Sequence, residues 1–172
     1  MENCIKTSLL KRLSQARYHL QELKFARDDF KRGCYFSAFL PILKSVYYYI
    51  QTWMVDNGTI HKKRKDEEFW SRIDSWLKNN ASPDEIEQWE CIMEVRNVEI
   101  HREIVSPLEK QFGGWWDDRW WNQYWWNDSW WSKGKRVLSV SHPKTNKEYE
   151  LYEACDTTIS ITERLINGYR AL

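Results

Sequence analysis

The sequence predicts an all-α fold: a helical bundle with a Trp-rich segment and a β-hairpin inserted before the last helix. Long segments place apolar residues three and four positions apart, which is the spacing of one face of a helix. Two short segments joined by turn residues favour the hairpin. With 172 residues, of which 42% are hydrophobic, the chain is long enough to form one domain around a core of its own.

The first two helices are predicted at residues 5–31 and 35–56, with Gly33 between them. The second is strongly aromatic and contains Pro41, which is expected to kink it or to mark its true start. The apolar face of the first helix consists of Leu9, Leu13, Ala16, Leu20, Leu23 and Phe30.

The third and fourth helices follow a turn at Asn57-Gly58 and a basic segment, 61–65, that is expected to be a solvated loop. The third helix is predicted at about 66–79. The fourth begins at Ser82-Pro83-Asp84-Glu85, which combines an N-cap serine, a proline at the first helical position and a glutamate at the third. It is predicted to run to Ser106, because Pro107 follows.

The hairpin is predicted from residues 136–141 and 148–153, and Asp156 is expected to cap a last helix at about 157–170. A single domain is therefore expected. Residues 5–112 and 156–172 form its helical bundle, and residues 113–155 form the insertion.

Composition and charge exclude several classes of protein. Lys and Arg number 26 against 25 Asp and Glu, so a protein that coats polyanions along its whole surface is excluded, although a local basic patch is not. The four cysteines are widely spaced, which favours free thiols in the cytosol. Residues 34–55 are the most membrane-like but contain Pro41, Lys44 and Gln51, so we expect a cytoplasmic protein with no membrane span.

Three polar residues of the fourth helix stand out, because they lie on or beside its predicted apolar face. At about 100° per residue, Asn97 falls inside that face, Arg96 flanks one edge and His101 lies near the other. Buried polar groups need partners, which a cleft, a subunit interface or a phosphate supplies. The predicted face, an arc of about 100°, consists of Ile86, Trp89, Met93, Ile100, Ile104 and Leu108.

The segment Arg96-Asn97-Val98-Glu99-Ile100-His101 resembles the motif of the HEPN domains (higher eukaryotes and prokaryotes nucleotide-binding). That motif is an Arg, four to six residues and a His, often with a polar residue directly after the Arg. The resemblance covers roughly residues 5–112 and the last helix. It implies a helical bundle that forms a homodimer, with the motifs of two protomers facing each other across a cleft. Many members are metal-independent RNases of toxin or phage-defence systems.

The resemblance implies RNA as substrate and Arg96, Asn97 and His101 as catalytic residues. Imidazole titrates near neutral pH, so His101 suits a general base or acid. Arg96 can bind phosphate oxygens through its planar fork of donors. Asn97 can orient His101 or bind the phosphate or ribose. Arg96 and His101 are five positions apart, which places them about 140° apart around the helix, so a composite site with a second copy is expected.

Other interpretations of these residues stay open. His101 can be an ordinary histidine bonded within the bundle, and Arg96 can pair with Glu99. His19, His61 and His142 are expected at the surface. The chain can also be a non-catalytic HEPN-like binding module, or a helical protein with no nucleic-acid role.

Regulation by an antitoxin or another partner protein is a further expectation. Some HEPN toxins are silenced by modification of a tyrosine two residues after the motif His, but Glu103 occupies that position here. No Walker A pattern and no metal-ligand constellation is present, so no cofactor is expected.

Eight of the twelve tryptophans lie in the Trp-rich segment, between Trp115 and Trp131. They form adjacent pairs that repeat every five residues. Neither a helix nor a strand puts such pairs on one face. Three roles for the tryptophans remain alternatives. They can pack over the bundle or across a dimer, stack on single-stranded nucleic acid, or form a surface that binds a protein or a carbohydrate. The three Asp residues of the segment against one Arg disfavour RNA.

Overall fold

A computed structural model of the chain describes residues 2–101, 108–112, 135–169 and 172, with side chains at 5–96, 138–169 and 172. In these ranges the helices are α1 (Glu2–Phe25), α2 (Asp29–Asp56), α3 (Lys65–Asn80), α4 (Pro83–His101) and α5 (Leu151–Gly168). A short 3-10 turn, Lys62–Arg64, precedes α3. The strands are β1 (Leu108–Phe112), β2 (Lys135–Ser141) and β3 (Glu148–Glu150).

The helices pack as a bundle, so the predicted all-α fold is confirmed. α1 lies along α2 and α5, and α5 also packs against α4. The core between them consists of aliphatic and aromatic side chains at the predicted three- and four-residue spacing. Its largest fully buried members include Leu9, Leu13, Leu23, Phe36, Phe39, Leu43, Tyr47, Ile50, Phe69 and Ile73.

The predicted hairpin is present, but the sheet has a further strand. β2 and β3 pair antiparallel, with Ser139 opposite Glu150, and Asn146 in the connecting turn adopts a left-handed conformation with φ of 56°. β1 pairs with the other edge of β2 and places Leu108 opposite Ser139. The prediction that Leu108 continues the apolar face of the fourth helix is therefore wrong.

The boundary between the first two helices differs from the prediction. α1 ends at Phe25, and Asp28 caps α2 by accepting a hydrogen bond from the Lys31 backbone N–H at 2.8 Å. An aspartate is a strong N-cap, whereas Gly33 lies buried inside the helix. Phe30 is 81% exposed and contributes nothing to the core. α2 also continues through Pro41.

The last helix begins six residues earlier than predicted, at Leu151 instead of residue 157. Asp156 is inside α5 and forms an ion pair with Lys24 of α1 at 2.9 Å instead of capping a helix. The buried residues Leu151 and Ala154 continue the apolar face of α5 towards its N-terminus, so packing on the bundle extends the helix over the predicted end of the second hairpin strand.

The predicted starts of α3 and α4 agree with the structure to within a residue. Ser82 and Glu85 form the expected capping box. The Ser82 backbone N–H donates to Glu85 Oε2 at 2.8 Å, and the Glu85 N–H donates to Ser82 Oγ at 3.3 Å. The helix is continuous to His101, and the predicted extension to Ser106 lies outside the described residues, as do Trp115 to Trp131.

Within the described parts of the chain, none of the helices combines the length and apolarity that crossing a membrane requires. Residues 34–55, the most membrane-like segment of the sequence, lie within α2 and contribute Phe36, Phe39 and Tyr47 to the bundle core.

Candidate functional site

A buried hydrogen-bond network fixes α4 against α2 and α5. Trp89 Nε1 donates to the Tyr47 hydroxyl at 2.7 Å, and that hydroxyl lies 2.8 Å from Thr162 Oγ1. Thr162 donates its own hydroxyl hydrogen to the Thr158 carbonyl, so Tyr47 is the donor to Thr162. Burial raises the pKa of Tyr47 to about 12, so the hydroxyl stays protonated and the network stays complete.

Arg96 lies seven residues after Trp89, about two helical turns along the same side of α4. The buried residues of α4 in its described part span an arc of about 200°, twice the predicted width. The sequence predicts Arg96 at the edge of the apolar face, but Arg96 falls within the buried arc and is half-buried. The arc is wider because α4 packs against both α2 and α5. The buried residues are Trp89, Cys91, Ile92, Met93 and Val95.

The structure places the backbone of Asn97 and His101 in the last turns of α4. The side chains of these two predicted site residues, and that of Glu99, lie outside the described residues. The three proposed catalytic residues therefore share one continuous helix, and only the surroundings of Arg96 are described.

Lys44 of α2 belongs to these surroundings. Its side chain is only 7% exposed, and Nζ lies 4.0 Å from the centre of the Trp70 ring. Trp70 is itself packed edge-on against Phe69 and stacked on Tyr47. Burial first, and then the positive charge of Arg96, lower the pKa of Lys44 from 10.5 to about 8, while Glu94 acts in the opposite direction. The ammonium is thus held against the Trp70 ring in a largely desolvated position.

The β2–β3 hairpin adds a further cation. Lys144, in the turn, forms an ion pair with Glu94 Oε1 of α4 at 2.8 Å. Lys147 and the Tyr149 hydroxyl contact Glu87, two turns earlier on α4. The hairpin is therefore docked along α4. We refer to Lys44, Glu94, Arg96 and Lys144 as the basic cluster.

Sequence reasoning missed Lys44 and Lys144 as possible members of the site. A signal for Lys44 was available, because it is the single charged residue in the middle of an apolar helix, with Leu40 and Tyr47 one turn to either side. No signal marked Lys144, whose position depends on how the hairpin packs.

The sequence predicts the other three histidines at the surface, but one is exposed, one is buried and one is half-buried. His61 is exposed, as predicted, and accepts a hydrogen bond from the Lys63 backbone N–H. His142 is only 7% exposed, so the prediction that it lies at the surface is wrong. Its Nδ1 accepts a hydrogen bond from the Lys144 backbone N–H at 3.1 Å, which shapes the hairpin turn. His19 is half-buried. The 61–65 segment is solvent-exposed, as expected.

The described residues contain no group of three or more His, Cys, Asp or Glu side chains arranged to hold a metal ion. Comparison with known proteins finds no matching family model, no similar curated sequence and no similar solved structure.

Proposed function

We propose that the protein is a metal-independent endoribonuclease of the HEPN type, with Arg96, Asn97 and His101 as its catalytic residues. The observation that carries the proposal is the position of Arg96. It is half-buried within the arc of α4 that packs on the bundle, on a helix that continues to His101. A half-buried guanidinium is suited to binding an anion through its planar fork of donors, and the phosphodiester backbone of RNA is such an anion.

The proposed reaction is transesterification within the RNA chain. A base, for which His101 is the candidate, removes the proton of a ribose 2′-hydroxyl, and the 2′-oxygen attacks the adjacent phosphorus. The bond from phosphorus to the 5′-oxygen breaks, and an acid returns a proton to that oxygen. The products are a 2′,3′-cyclic phosphate and a 5′-hydroxyl end. Arg96 stabilises the negative charge that accumulates on the phosphate oxygens.

A second copy of the chain is part of the proposal. Arg96 and His101 are about 140° apart around α4. The proposed reaction needs a base and a phosphate-binding group on opposite sides of one phosphodiester, and two protomers supply this arrangement most simply. A role in a toxin or phage-defence system, under control of an antitoxin or another regulatory protein, is the biological setting that fits this activity.

Cleavage of total RNA by purified protein tests the proposal. We expect His101→Ala and Arg96→Ala each to reduce the cleavage rate by roughly 100-fold or more, the usual range for loss of a general base or of a transition-state contact. A chelator should leave the wild-type rate unchanged. The cleaved 5′ fragments should carry 2′,3′-cyclic phosphates, which mass spectrometry detects.

His61→Ala is the matched control, because His61 is an exposed histidine of the loop before α3, and it should cleave as fast as wild type. Circular dichroism of each variant shows whether the helices are intact. Undiminished cleavage by folded His101→Ala contradicts the proposal. RNA binding without cleavage by wild type also contradicts it, and favours a HEPN-like binding module instead.

A further inference from the structure

A groove of about 500 Å³ lies between α1 and α2 at the surface of the bundle. Tyr47, which bonds to α4, is about 140° around α2 from the groove residue Ile42, so the groove is on a different side of α2 from the proposed site. The groove is lined by Lys11, Ser14, Gln15, Tyr18, His19 and Ile42.

Two contacts between α1 and α2 mark the ends of this groove. At one end, Arg12 donates hydrogen bonds to Ser45 Oγ at 3.0 Å and to the Tyr49 hydroxyl at 2.8 Å, and its Cζ lies 4.2 Å from the centre of the Tyr49 ring. At the other end, the ring centres of His19 and Tyr35 are 6.4 Å apart. Arg12 and His19 are about 10 Å apart along α1. We refer to the lining residues and the residues of these two contacts as the α1–α2 groove.

The sequences of the two helices keep acidic side chains out of most of the groove. Neither residues 3–21 of α1 nor residues 30–55 of α2 contain an Asp or a Glu. The neighbouring helix α5 supplies Glu163, which forms an ion pair with Arg17 of α1 at 2.5 Å. Arg17 is about 120° around α1 from Lys11, so this carboxylate meets α1 on another side.

The cations of the groove exceed its acids. Arg12 is bound by two hydroxyl groups and an aromatic ring, and none of these neutralises its charge. Lys11 is exposed and forms no ion pair with a described residue. Glu22 is the nearest acid on α1, and it interacts with Tyr35 at the far end of the groove. Two cations against one carboxylate favour an anionic ligand.

Two tyrosine rings of the groove are open to solvent and are held in place. Tyr18 is 55% exposed and Tyr49 is 45% exposed. The Tyr18 ring packs edge-on against His19 with ring centres 5.4 Å apart, and Tyr49 is held by Arg12. Aromatic rings beside cations are typical of surfaces that bind single-stranded nucleic acids, because every base can stack on a ring face. Rings held in this way lose little conformational entropy on binding.

We infer that the α1–α2 groove binds single-stranded RNA, with bases stacked on Tyr18 and Tyr49 and backbone phosphates bound by Lys11 and Arg12. The choice of RNA rests on the proposed ribonuclease function, whereas the charge and the exposed rings of the groove do not. The guanidinium of Arg12 is oriented by its contacts with α2, and its other N–H groups can bind phosphate oxygens. The groove thus holds a segment of the RNA other than the one at α4.

Binding of a non-cleavable RNA tests the inference separately from catalysis. A 2′-O-methyl oligouridine lacks the attacking hydroxyl, so its affinity, measured by fluorescence anisotropy, does not depend on cleavage. We expect Tyr18→Ala and Tyr49→Ala each to weaken binding about tenfold, which is within the range for loss of one base–aromatic stack. Lys11→Met should reduce the slope of log affinity against log salt by about 0.7, the value for one phosphate contact on a single strand.

Tyr48→Ala and Lys78→Met are the matched controls. Tyr48 is an exposed tyrosine of α2 about 100° around the helix from Tyr49, and Lys78 is an exposed lysine of α3. Each control should change the affinity less than twofold, and circular dichroism shows whether the helices of each variant are intact. Wild-type affinity in folded Tyr18→Ala and Tyr49→Ala, with an unchanged salt slope in Lys11→Met, overturns the inference.

Two further measurements separate RNA from other occupants of the groove. Polyglutamate has negative charge but no bases, so it should compete only weakly with the oligouridine. Equal competition at the same concentration of charge favours an acidic protein segment and overturns RNA as the ligand. Light scattering detects a second copy of the chain in the groove. A wild-type dimer that dissociates when Tyr18 and Tyr49 are both replaced by Ala also overturns the assignment to RNA.

The cleavage assay separates this inference from the proposed function. If His101→Ala cleaves RNA normally while Tyr18→Ala and Tyr49→Ala bind it poorly, the catalytic proposal fails and the RNA-binding groove stands. If His101→Ala is inactive while both tyrosine variants bind RNA as wild type does, the inference about the groove fails and the catalytic proposal stands.

Discussion

Lys44 is the residue whose environment differs most from that of an ordinary lysine. Burial and the nearby charge of Arg96 lower its pKa to about 8, and Glu94 opposes this shift. A lowered lysine pKa means that the folded protein holds the proton less tightly than the unfolded chain does. The charged side chain therefore destabilises the fold wherever both states are protonated.

The pH dependence of stability follows from this shift. Below about pH 8, Lys44 is charged in both states and its full penalty is present. Between about pH 8 and 10.5 the folded state releases the proton first, so the contribution of Lys44 to the free energy of unfolding rises with pH. We expect Lys44→Met to be more stable than wild type near pH 7, by at most about 3 kcal/mol, and this difference to shrink towards pH 10.5.

Urea unfolding at several pH values, in buffers without phosphate, measures this difference. Tyr47 and Cys91, whose pKa values are both raised to about 12 by burial, titrate in both proteins and cancel in the comparison. A Lys44→Met difference that stays constant from about pH 7 to 10.5 contradicts the assigned shift.

At the scale of the helices, Tyr47 connects three elements through one hydroxyl. It donates to Thr162 of α5 and accepts from Trp89 of α4, while its ring lies against Trp70 of α3. The helix that contains Arg96 is thus held by directional bonds as well as by apolar packing.

We expect Tyr47→Phe to lower the free energy of unfolding by about 2 kcal/mol, because it leaves the buried Trp89 N–H without its acceptor. Chemical denaturation followed by circular dichroism measures the loss. Tyr48→Phe, which removes a hydroxyl from an exposed neighbour on the same helix, should change stability by less than about 0.5 kcal/mol. Equal stability of the two variants rules out a stabilising role for the network.

The starts of two helices show how far local sequence signals predict helix boundaries. The start of α4 was predictable, since the capping box depends on Ser82 and Glu85 alone. The start of α5 was predicted too late, because Asp156 is a good cap in isolation, whereas in the protein it pairs with Lys24, 132 residues away in sequence. Local signals compete with packing partners that the sequence does not reveal.

At the scale of the whole molecule, the hairpin has a role that its position in the sequence did not suggest. It docks on α4 through Glu87 and Glu94 and brings Lys144 to the basic cluster. Part of the predicted insertion therefore contributes to the surroundings of the proposed site. The remaining surroundings are proposed to come from a second copy of the chain.

Complementation between inactive variants tests the composite site. When Arg96→Ala and His101→Ala chains are co-expressed, random pairing makes half of the dimers mixed, and each mixed dimer keeps one intact site of two. We expect about a quarter of the wild-type cleavage rate to return. Co-expression of Arg96→Ala with the Arg96→Ala,His101→Ala double variant should restore nothing. No recovery in the first mixture means that each chain carries a complete site.

The sequence by itself determined the helical class of the protein, the start of α4 and the presence of a hairpin, because apolar spacing, caps and turn residues act over a few neighbouring positions. It also indicated Arg96, Asn97 and His101 as candidates. Only the tertiary structure decided that β1 pairs with β2 and that Arg96 lies within the buried arc of α4. It also decided that Lys44 is buried against Trp70 and that Lys144 pairs with Glu94. These contacts join residues such as Glu94 and Lys144, 50 positions apart. Their formation depends on how whole elements pack, and local patterns do not encode that packing.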